Sequence, residues 1–318
     1  VKLVVLTGCA GFMGSYAARA CLEKGWKVLG VDKFTYAASR GVVEELRKHE
    51  NFSFWEEDIC ELKHLPDCDY VINTAAETHV GNSILDSSAF IHSNIEGVKN
   101  LLDLIRAKPS SVREPPTLLH FSTDEVYGDI EKGEHIEDDL LNPSNPYSAS
   151  KASADMLIKA WSRTYGVEYN ILRPTNNYGI GQYPEKLIPL TVKLLMCGKR
   201  VRLHEAGTPI RNWLHAADTA AAVVRIVESG VKNEIFNVAG GFEQPNWLTV
   251  KKIINIYYNE EDDERWKEYV DFHHSRPGQD VRYALNDDKL RGLGWKPEKS
   301  FDKEIGQIVE YYSNNFKW

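Results

Sequence analysis

The chain holds 318 residues, 42% of them hydrophobic and 26% charged, with a formal net charge of −8 at pH 7. Those proportions support a core large enough to need neither disulfides nor a structural metal. The negative balance argues against a polyanion such as DNA or RNA as the main partner, although a nucleotide, whose few phosphates need only local donors, stays open. Five cysteines lie far apart with no C-x-x-C pair, which points to reduced thiols in a cytoplasm-like compartment. No apolar run reaches the roughly 18 residues of a membrane span. The sequence also opens directly into a strand rather than a cleavable leader, so a soluble cytoplasmic protein is expected.

Short apolar runs alternate with amphipathic stretches through the first half. Leu3–Thr7, Lys27–Val31, Tyr70–Thr74, Thr117–Ser122 and Glu168–Leu172 read as buried strands, with helices at Phe12–Lys24, Asn94–Ala107 and Tyr147–Tyr165. The alternation predicts an α/β fold of Rossmann type: a doubly wound parallel sheet, helices on both faces, and ligands beyond the C-terminal strand ends. After Pro174 the pattern is less regular. A helix from Asp218 to Glu228, with Asp218 as its N-cap, and a strand Glu234–Val238 predict that the chain returns to the sheet near 212–238. The expected division is a dinucleotide-binding domain over 1–175 and a smaller substrate-binding region over 176–318. The acidic run Glu260–Glu264 reads as a solvated loop or helix end, and no metal site is expected.

The first strand runs into Thr7-Gly8-Cys9-Ala10-Gly11-Phe12-Met13-Gly14, a G-x-x-G-x-x-G run that opens a helix. Glycine lets the backbone turn sharply and approach a pyrophosphate, and the helix N-terminus supplies free N–H groups and a favourable dipole. Strand two ends at Asp32, roughly 20 residues on. A carboxylate there accepts both hydrogen bonds of an adenosine ribose diol and repels a 2′-phosphate, which favours NAD over NADP. Three glycines alone could merely pack a tight turn; strand, helix and Asp32 together make the dinucleotide reading the stronger one. Asp58-Ile59 follow another short apolar stretch and either flank the adenine or form a plain turn.

Tyr147-Ser148-Ala149-Ser150-Lys151 sets tyrosine and lysine on one face of a predicted helix. A free tyrosine, with a pKa of about 10, is a poor base at neutral pH; a nearby ammonium is expected to lower it. The pair alone also occurs on surface helices. The strand before it runs into Ser122-Thr123-Asp124-Glu125-Val126-Tyr127-Gly128. A hydroxyl and two adjacent carboxyls there stand where this architecture puts active sites.

These residues together resemble the extended short-chain dehydrogenase/reductases, and among them the dTDP-glucose 4,6-dehydratases. The further matching segments are VDKFTYA (31–37), AAETHV (75–80), YSASKAS (147–153), NNYG (176–179), PEKLIPL (184–190) and RPGQDVRYA (276–284). They span nearly the whole chain in the family's order. The resemblance implies a three-stage reaction. Tyr147, assisted by Thr123 and Lys151, takes the 4-hydroxyl proton of a hexose as hydride passes from C4 to NAD. The ketone then acidifies C5; Glu125 removes that proton while protonated Asp124 donates to the departing C6 hydroxyl. Hydride returns to C6, giving a 4-keto-6-deoxy sugar.

The resemblance also assigns cofactor contacts to Gly8, Gly11, Phe12, Met13, Gly14, Asp32, Lys33, Thr35, Asp58 and Ile59. Ala75, Ala76 and Ser93 join them, with Tyr147 and Lys151 at the nicotinamide end. Thr78, Thr123, Asn177 and the stretch Lys186-Leu187-Ile188-Pro189 are implied to meet the sugar nucleotide. Arg211 and Arg276 are implied at its diphosphate, where guanidinium geometry suits phosphate oxygens. Family members commonly dimerise through two helices each, here near 94–107 and 148–165, so a homodimer is expected.

The sequence departs from the family pattern in four places. His204-Glu205 stand where a Tyr-Gly pair is usual, and Gln279 replaces a histidine, so the base stays open between thymidine, uridine or another. Ser93 replaces threonine. Cys9 replaces a common glycine and should be harmless. Epimerases of the same fold usually carry small residues at Asp124 and Glu125, and decarboxylases a serine at Asp124; the intact pair favours dehydration. A 5,6-dehydratase shares the early steps. An NAD-binding protein without catalysis would have lost some of these groups.

Overall fold

Strands made of consecutive aliphatic residues need cover on both faces, and here they find it in one parallel sheet. The computed structural model describes residues 1–108, 114–260, 264–275, 277 and 280–315. In chain order its strands are β1 (Leu3–Thr7), β2 (Lys27–Asp32), β3 (Phe52–Glu56), β4 (Tyr70–Asn73), β5 (Thr117–Phe121), β6 (Tyr169–Pro174), β7 (Asn176–Tyr178), β8 (Val201–His204), β9 (Ile210–His215), β10 (Glu234–Val238), β11 (Glu243–Pro245) and β12 (Val270–His274). The main sheet runs β10-β6-β5-β4-β1-β2-β3, with every pairing parallel. The order reverses between β1 and β4, which opens a crevice at their C-terminal ends.

Successive residues of each central strand serve opposite cores. Leu6, Ile72, Leu119 and Leu172 face the helices Phe12–Glu23 and Ala216–Ser229. Val5, Val71, Leu118 and Ile171 face Gly97–Arg106 and Pro146–Tyr165. The remaining chain forms a three-stranded sheet β11-β9-β7 and a pair β12-β8, packed by helices Leu187–Met196, Asn246–Tyr258 and Phe301–Asn314 through Ile188, Val192, Ile253, Ile305 and Ile308. Strand β10 joins the edge of the main sheet, so the chain returns there after leaving it at β6. Among the described residues no helix is long and apolar enough to cross a membrane.

Two local readings need correction. The helix expected to start at Asp218 starts at Ala216, capped by His215, whose Nδ1 accepts from Ala217 N at 3.1 Å. Asp218 instead lies buried in the first turn and accepts from the backbone N–H groups of Glu298 and Lys299, both at 3.0 Å. A contact to a segment that distant in sequence outcompetes the local cap. The helix expected over 94–107 is α-helical only from Gly97, because His92–Glu96 form a π-helical turn ahead of it. Of the acidic run, 261–263 lie outside the described residues; Glu260 pairs with Arg265 at 2.5 Å and Glu264 with Lys267 at 2.6 Å.

One buried ion pair ties the sheet to the loop that carries the acids. Arg173 Nε, on β6, lies 3.0 Å from Asp155 Oδ2 of the helix Pro146–Tyr165, both side chains almost fully buried. Arg173 also donates to the hydroxyl of Tyr127 at 2.7 Å, which in turn donates to Asn237 on β10 at 2.8 Å. Replacing Arg173 by methionine strands Asp155 as an unpaired buried carboxylate and is expected to cost roughly 3–5 kcal/mol. Denaturant unfolding monitored by circular dichroism measures it; a loss under about 1 kcal/mol would show that the pair does not hold this region together.

Candidate active site

The crevice is shaped first by glycine. Gly8, where β1 turns, has φ +74°, and a Cβ there would lie 2.6 Å from Ala75 N at the end of β4. A Cβ on Gly14 would run into the Gly8 carbonyl. The two strand ends and the helix Phe12–Glu23 can close together only with bare backbone at both positions. Gly11 caps that helix without a side chain, so first-turn N–H groups remain for an anion. Cys9 is fully buried in the core beneath, against Gly30, which explains why it can replace a glycine.

Asp32 closes β2, and both its oxygens are steered by backbone: Ala10 N donates to Oδ2 at 3.0 Å and Phe34 N to Oδ1 at 2.8 Å. Burial pushes its carboxyl up while those two N–H groups pull it back. Beside it Lys33 Nζ lies 2.9 Å from Asp58 Oδ2 and 3.2 Å from Ser93 Oγ. Burial raises Asp58, but the Cys60 N–H and the Lys33 ammonium outweigh it and leave the group below its ordinary range.

At the opposite end the helix Pro146–Tyr165 starts with proline and a capping box, Asn145 Oδ1 accepting from Ser148 N at 3.0 Å and Ser148 Oγ from Asn145 N at 3.2 Å. This fixes the first turn, so Tyr147 and Lys151 share one buried face. Lys151 Nζ donates to the Phe121 carbonyl and lies 3.4 Å from His120 Nε2. Burial lowers its pKa to about 8. Behind it the polar chain continues: His120 Nδ1 is 3.0 Å from Asn73 Nδ2, and Thr7 donates to Asn73 Oδ1 at 2.6 Å. Burial, then Lys151, hold His120 neutral. The expected lowering of Tyr147 is not found: burial and the Glu125 and Asp124 carboxyls push its phenol up, against a hydrogen bond with Thr123. The reason is orientation, since Lys151 spends its ammonium on Phe121 and His120.

The acids follow β5 in a 3-10 turn, Asp124–Tyr127, capped by Thr123, whose Oγ1 accepts from Glu125 N at 3.3 Å and donates to Asp124 Oδ1 at 3.1 Å. Asp124 Oδ2 is buried with no hydrogen-bond partner among the described residues. Burial, and then the charge of Glu125, push Asp124 up to about 8. Glu125 is also raised by burial, moderated by Arg211 and by the Asn145 amide, which donates to its Oε2 at 3.4 Å. Two adjacent carboxyls thus stand where one keeps its proton at neutral pH.

One cavity of ≈ 300 Å³ joins all of this. It is lined by Gly8, Gly11, Phe12, Met13 and Gly14, by Asp32, Lys33 and Thr35, and by Asp58, Ile59, Ala75, Ala76 and Ser93. Thr123, Asp124, Glu125, Tyr147 and Lys151 line it too, as do Thr78, Asn177 and Lys186. Leu187, Ile188 and Pro189 do not line it; they open the helix Leu187–Met196, and Ile188 packs into the core. Arg211 does not either: its guanidinium donates to the carbonyls of Ile210 and Asp280 and lies over the Tyr283 ring. Arg276 and Gln279 lie outside the described residues.

The turn His204–Gly207 is set apart from the cavity lining, with Glu205 and Ala206 both at positive φ (49° and 52°). Non-glycine residues held there cost of order 1–3 kcal/mol each, so the departure from Tyr-Gly is paid in backbone strain.

Beside the cavity runs a strap that the sequence does not announce. Tyr36 donates to Glu185 at 2.9 Å and meets the Tyr183 ring edge-on, while Lys186 donates to the Thr78 carbonyl at 3.1 Å.

The chain has clear relatives. A family model described as GDP-mannose 4,6 dehydratase matches residues 5–308. The chain is 37% identical to dTDP-glucose 4,6-dehydratase 1 of Escherichia coli strain K12 over 340 residues, covering 99% of this chain and 94% of the relative. It resembles the solved dTDP-glucose 4,6-dehydratase of Streptomyces venezuelae with NAD bound at a TM-score of 0.90 and 33% identity, covering 99% of this chain and 98% of that one. The enzyme of the same name from Bacillus anthracis, in complex with NAD, gives 0.88 and 32%, covering 100% and 98%. The glycine cradle, the Tyr147–Lys151 face and the Asp124-Glu125 pair thus sit in a chain that belongs to the nucleotide-sugar 4,6-dehydratase family of short-chain dehydrogenase/reductases.

Proposed function

We propose that this protein is an NAD-dependent 4,6-dehydratase that converts an NDP-hexose, either dTDP-glucose or a UDP-sugar, to the 4-keto-6-deoxy sugar. The observation that carries the reading is the buried Asp124-Glu125 pair in the same cavity as Tyr147 and Lys151. Epimerisation or decarboxylation has no use for a protonated acid beside a second carboxyl. The cradle fits NAD: a Cβ at Gly8 or Gly14 would fill it, and Asp32 presents a carboxylate where a ribose diol is read and a 2′-phosphate repelled.

When bound, NAD supplies the redox chemistry, accepting hydride from C4 and returning it at C6. To receive the 4-hydroxyl proton Tyr147 would first give up its own, and Lys151, turned from the Phe121 carbonyl, would supply the charge that compensates the phenolate and a donor to the nicotinamide ribose, with Thr123 assisting. Glu125 takes the C5 proton once C4 is a carbonyl, and Asp124 gives its proton to the C6 oxygen as water leaves. Thr78, Asn177 and Lys186 meet the sugar nucleotide. Arg276 would join them on the substrate side, supplied by the region over 176–318, while 1–175 with β10 would hold the cofactor.

The acid step sets the pH dependence. Asp124 works only with its proton on, and its pKa of about 8 keeps it so at neutral pH, where a free aspartate near 3.9 would be ionised. Turnover is therefore expected to fall as pH rises through about 8, and on the acid side as Glu125 gains a proton. A kcat profile flat from pH 7 to 10 would remove Asp124 from the acid role.

The assay is direct. Incubated with dTDP-, UDP-, GDP- and CDP-hexoses, the protein should release one NDP-sugar lighter by a single water with a ketone at C4, seen by mass spectrometry. Failure on every sugar nucleotide would end the proposal. We further infer a homodimer through the helices Gly97–Arg106 and Pro146–Tyr165, supported by exposed Met156 and Tyr165 on the latter; light scattering at micromolar concentration should give twice the 36.1 kDa chain mass, and a monomer contradicts it. The absence of a disulfide among the described cysteines suits a reducing, cytoplasmic setting.

A further inference from the structure

The adenine end of the cavity has a neighbour that dehydration does not use. Asp58 and Cys60 come from the turn after β3, and His92 opens the π-helical turn His92–Glu96. One potential ligand atom from each lies within 4.8 Å of the other two, and His92 Nε2 is 3.6 Å from Asp58 Oδ2. A tetrahedral centre with bonds of about 2.0–2.3 Å spaces its ligands roughly 3.3–3.6 Å apart, so Cys60, whose thiol now donates to the His92 carbonyl at 3.3 Å, has to close in and Lys33 has to leave Asp58. His92 is already oriented as ligating histidines are: its Nδ1 sits 2.7 Å from Glu96 Oε2. A carboxylate there accepts the Nδ1 proton and leaves Nε2, lone pair outward, toward Asp58. Single π-helical turns of this kind gather at functional positions.

We propose that Asp58, Cys60 and His92 bind one thiophilic divalent cation of the Zn²⁺ class, with Glu96 orienting His92 and water in the open fourth position. The oxygen, sulfur and imidazole set suits zinc and not magnesium, which demands oxygen ligands in octahedral array. No electron moves. Three metal–ligand bonds form, the Cys60 thiol gives its proton to solvent, and the Lys33 ammonium, now 2.9 Å from Asp58 Oδ2, is displaced by the stronger charge. Lys33 and Asp58 both line the cofactor cavity, whereas Cys60 and His92 do not. The cation therefore alters the adenine end from outside it, and on the NAD reading given above cation and cofactor oppose one another.

Isothermal titration of the 318-residue chain, freed of NAD, with zinc chloride tests this. One Zn²⁺ per chain is expected, with no magnesium binding at the same concentrations. Cys60→Ser and His92→Ala should each weaken zinc by more than tenfold, and Glu96→Gln, an exposed change, by about tenfold. Each variant should keep the parent's melting temperature and NAD affinity measured with a chelator present, which separates a lost ligand from a lost fold. Saturating NAD should weaken zinc by the same factor that zinc weakens NAD. Unchanged zinc affinity in both Cys60→Ser and His92→Ala overturns the site, as does zinc binding indifferent to NAD. Sugar-nucleotide turnover in chelator is a separate measurement: its absence would strike the dehydratase reading and leave the zinc result standing.

Discussion

Asp124→Asn is expected to stop the reaction at the ketone. Asparagine keeps the shape of the side chain and its bond from Thr123 but has no proton to give the leaving oxygen. Tyr147, Lys151 and the glycine cradle are untouched, so oxidation at C4 proceeds and Glu125 still exchanges the acidified C5 proton. Loss of a general acid costs roughly 10²–10⁴ in kcat. Quenched reactions analysed by mass spectrometry should show a 4-keto hexose that retains its 6-hydroxyl and has picked up deuterium from heavy water at C5. Normal release of a dehydrated product by this variant would assign the acid to another group, and with it the meaning of the partnerless buried oxygen on Asp124.

The second large effect is at the other end of the chemistry. Tyr147→Phe should yield no ketone of either kind and no C5 deuterium, because nothing acidifies C5 until C4 is oxidised. A fall of roughly 10²–10⁴ or more in the first step is expected, with substrate and NAD affinities little changed. The phenol is buried and uncharged, its pKa pushed up by burial and then by Glu125, so phenylalanine should fit the same space and leave the fold intact. Deuterium at C5 in Tyr147→Phe would sever the ordered link between the two steps.

The contrast between these variants bears on Lys151. Sequence spacing puts its ammonium on the face of Tyr147, yet burial and a bond to the Phe121 carbonyl hold it toward His120. In this geometry the tyrosine is no readier base than a free one. Its activation is left to the polar groups that arrive with ligand, and to the swing of a lysine whose own pKa of about 8 makes its charge inexpensive to move.

Much of the site was legible because its signals are local. The turn at Gly8 and Gly14, the strand-end position of Asp32, the i to i+4 spacing of Tyr147 and Lys151, and the hydroxyl–acid–acid run at 123–125 each declare themselves within a few residues. The strap of Tyr36, Tyr183 and Glu185 was not legible, since no periodicity links residue 36 to residue 185. Nor was the inward turn of Arg211 onto Asp280 and Tyr283, because an arginine's reach allows it several partners and only packing selects one.

By itself the sequence determined the parallel sheet and the candidate reacting groups, because hydrophobic period and fixed spacing are properties of neighbouring residues. Tertiary structure alone decided which groups carry protons and which way long side chains point. Asp124 is an acid near neutrality only because the fold buries it beside Glu125, and Asp218 abandons its helix end for two backbone N–H groups some 80 residues away. Solvation and long-range pairing are set by what comes to surround a residue, and that is not written in its neighbours.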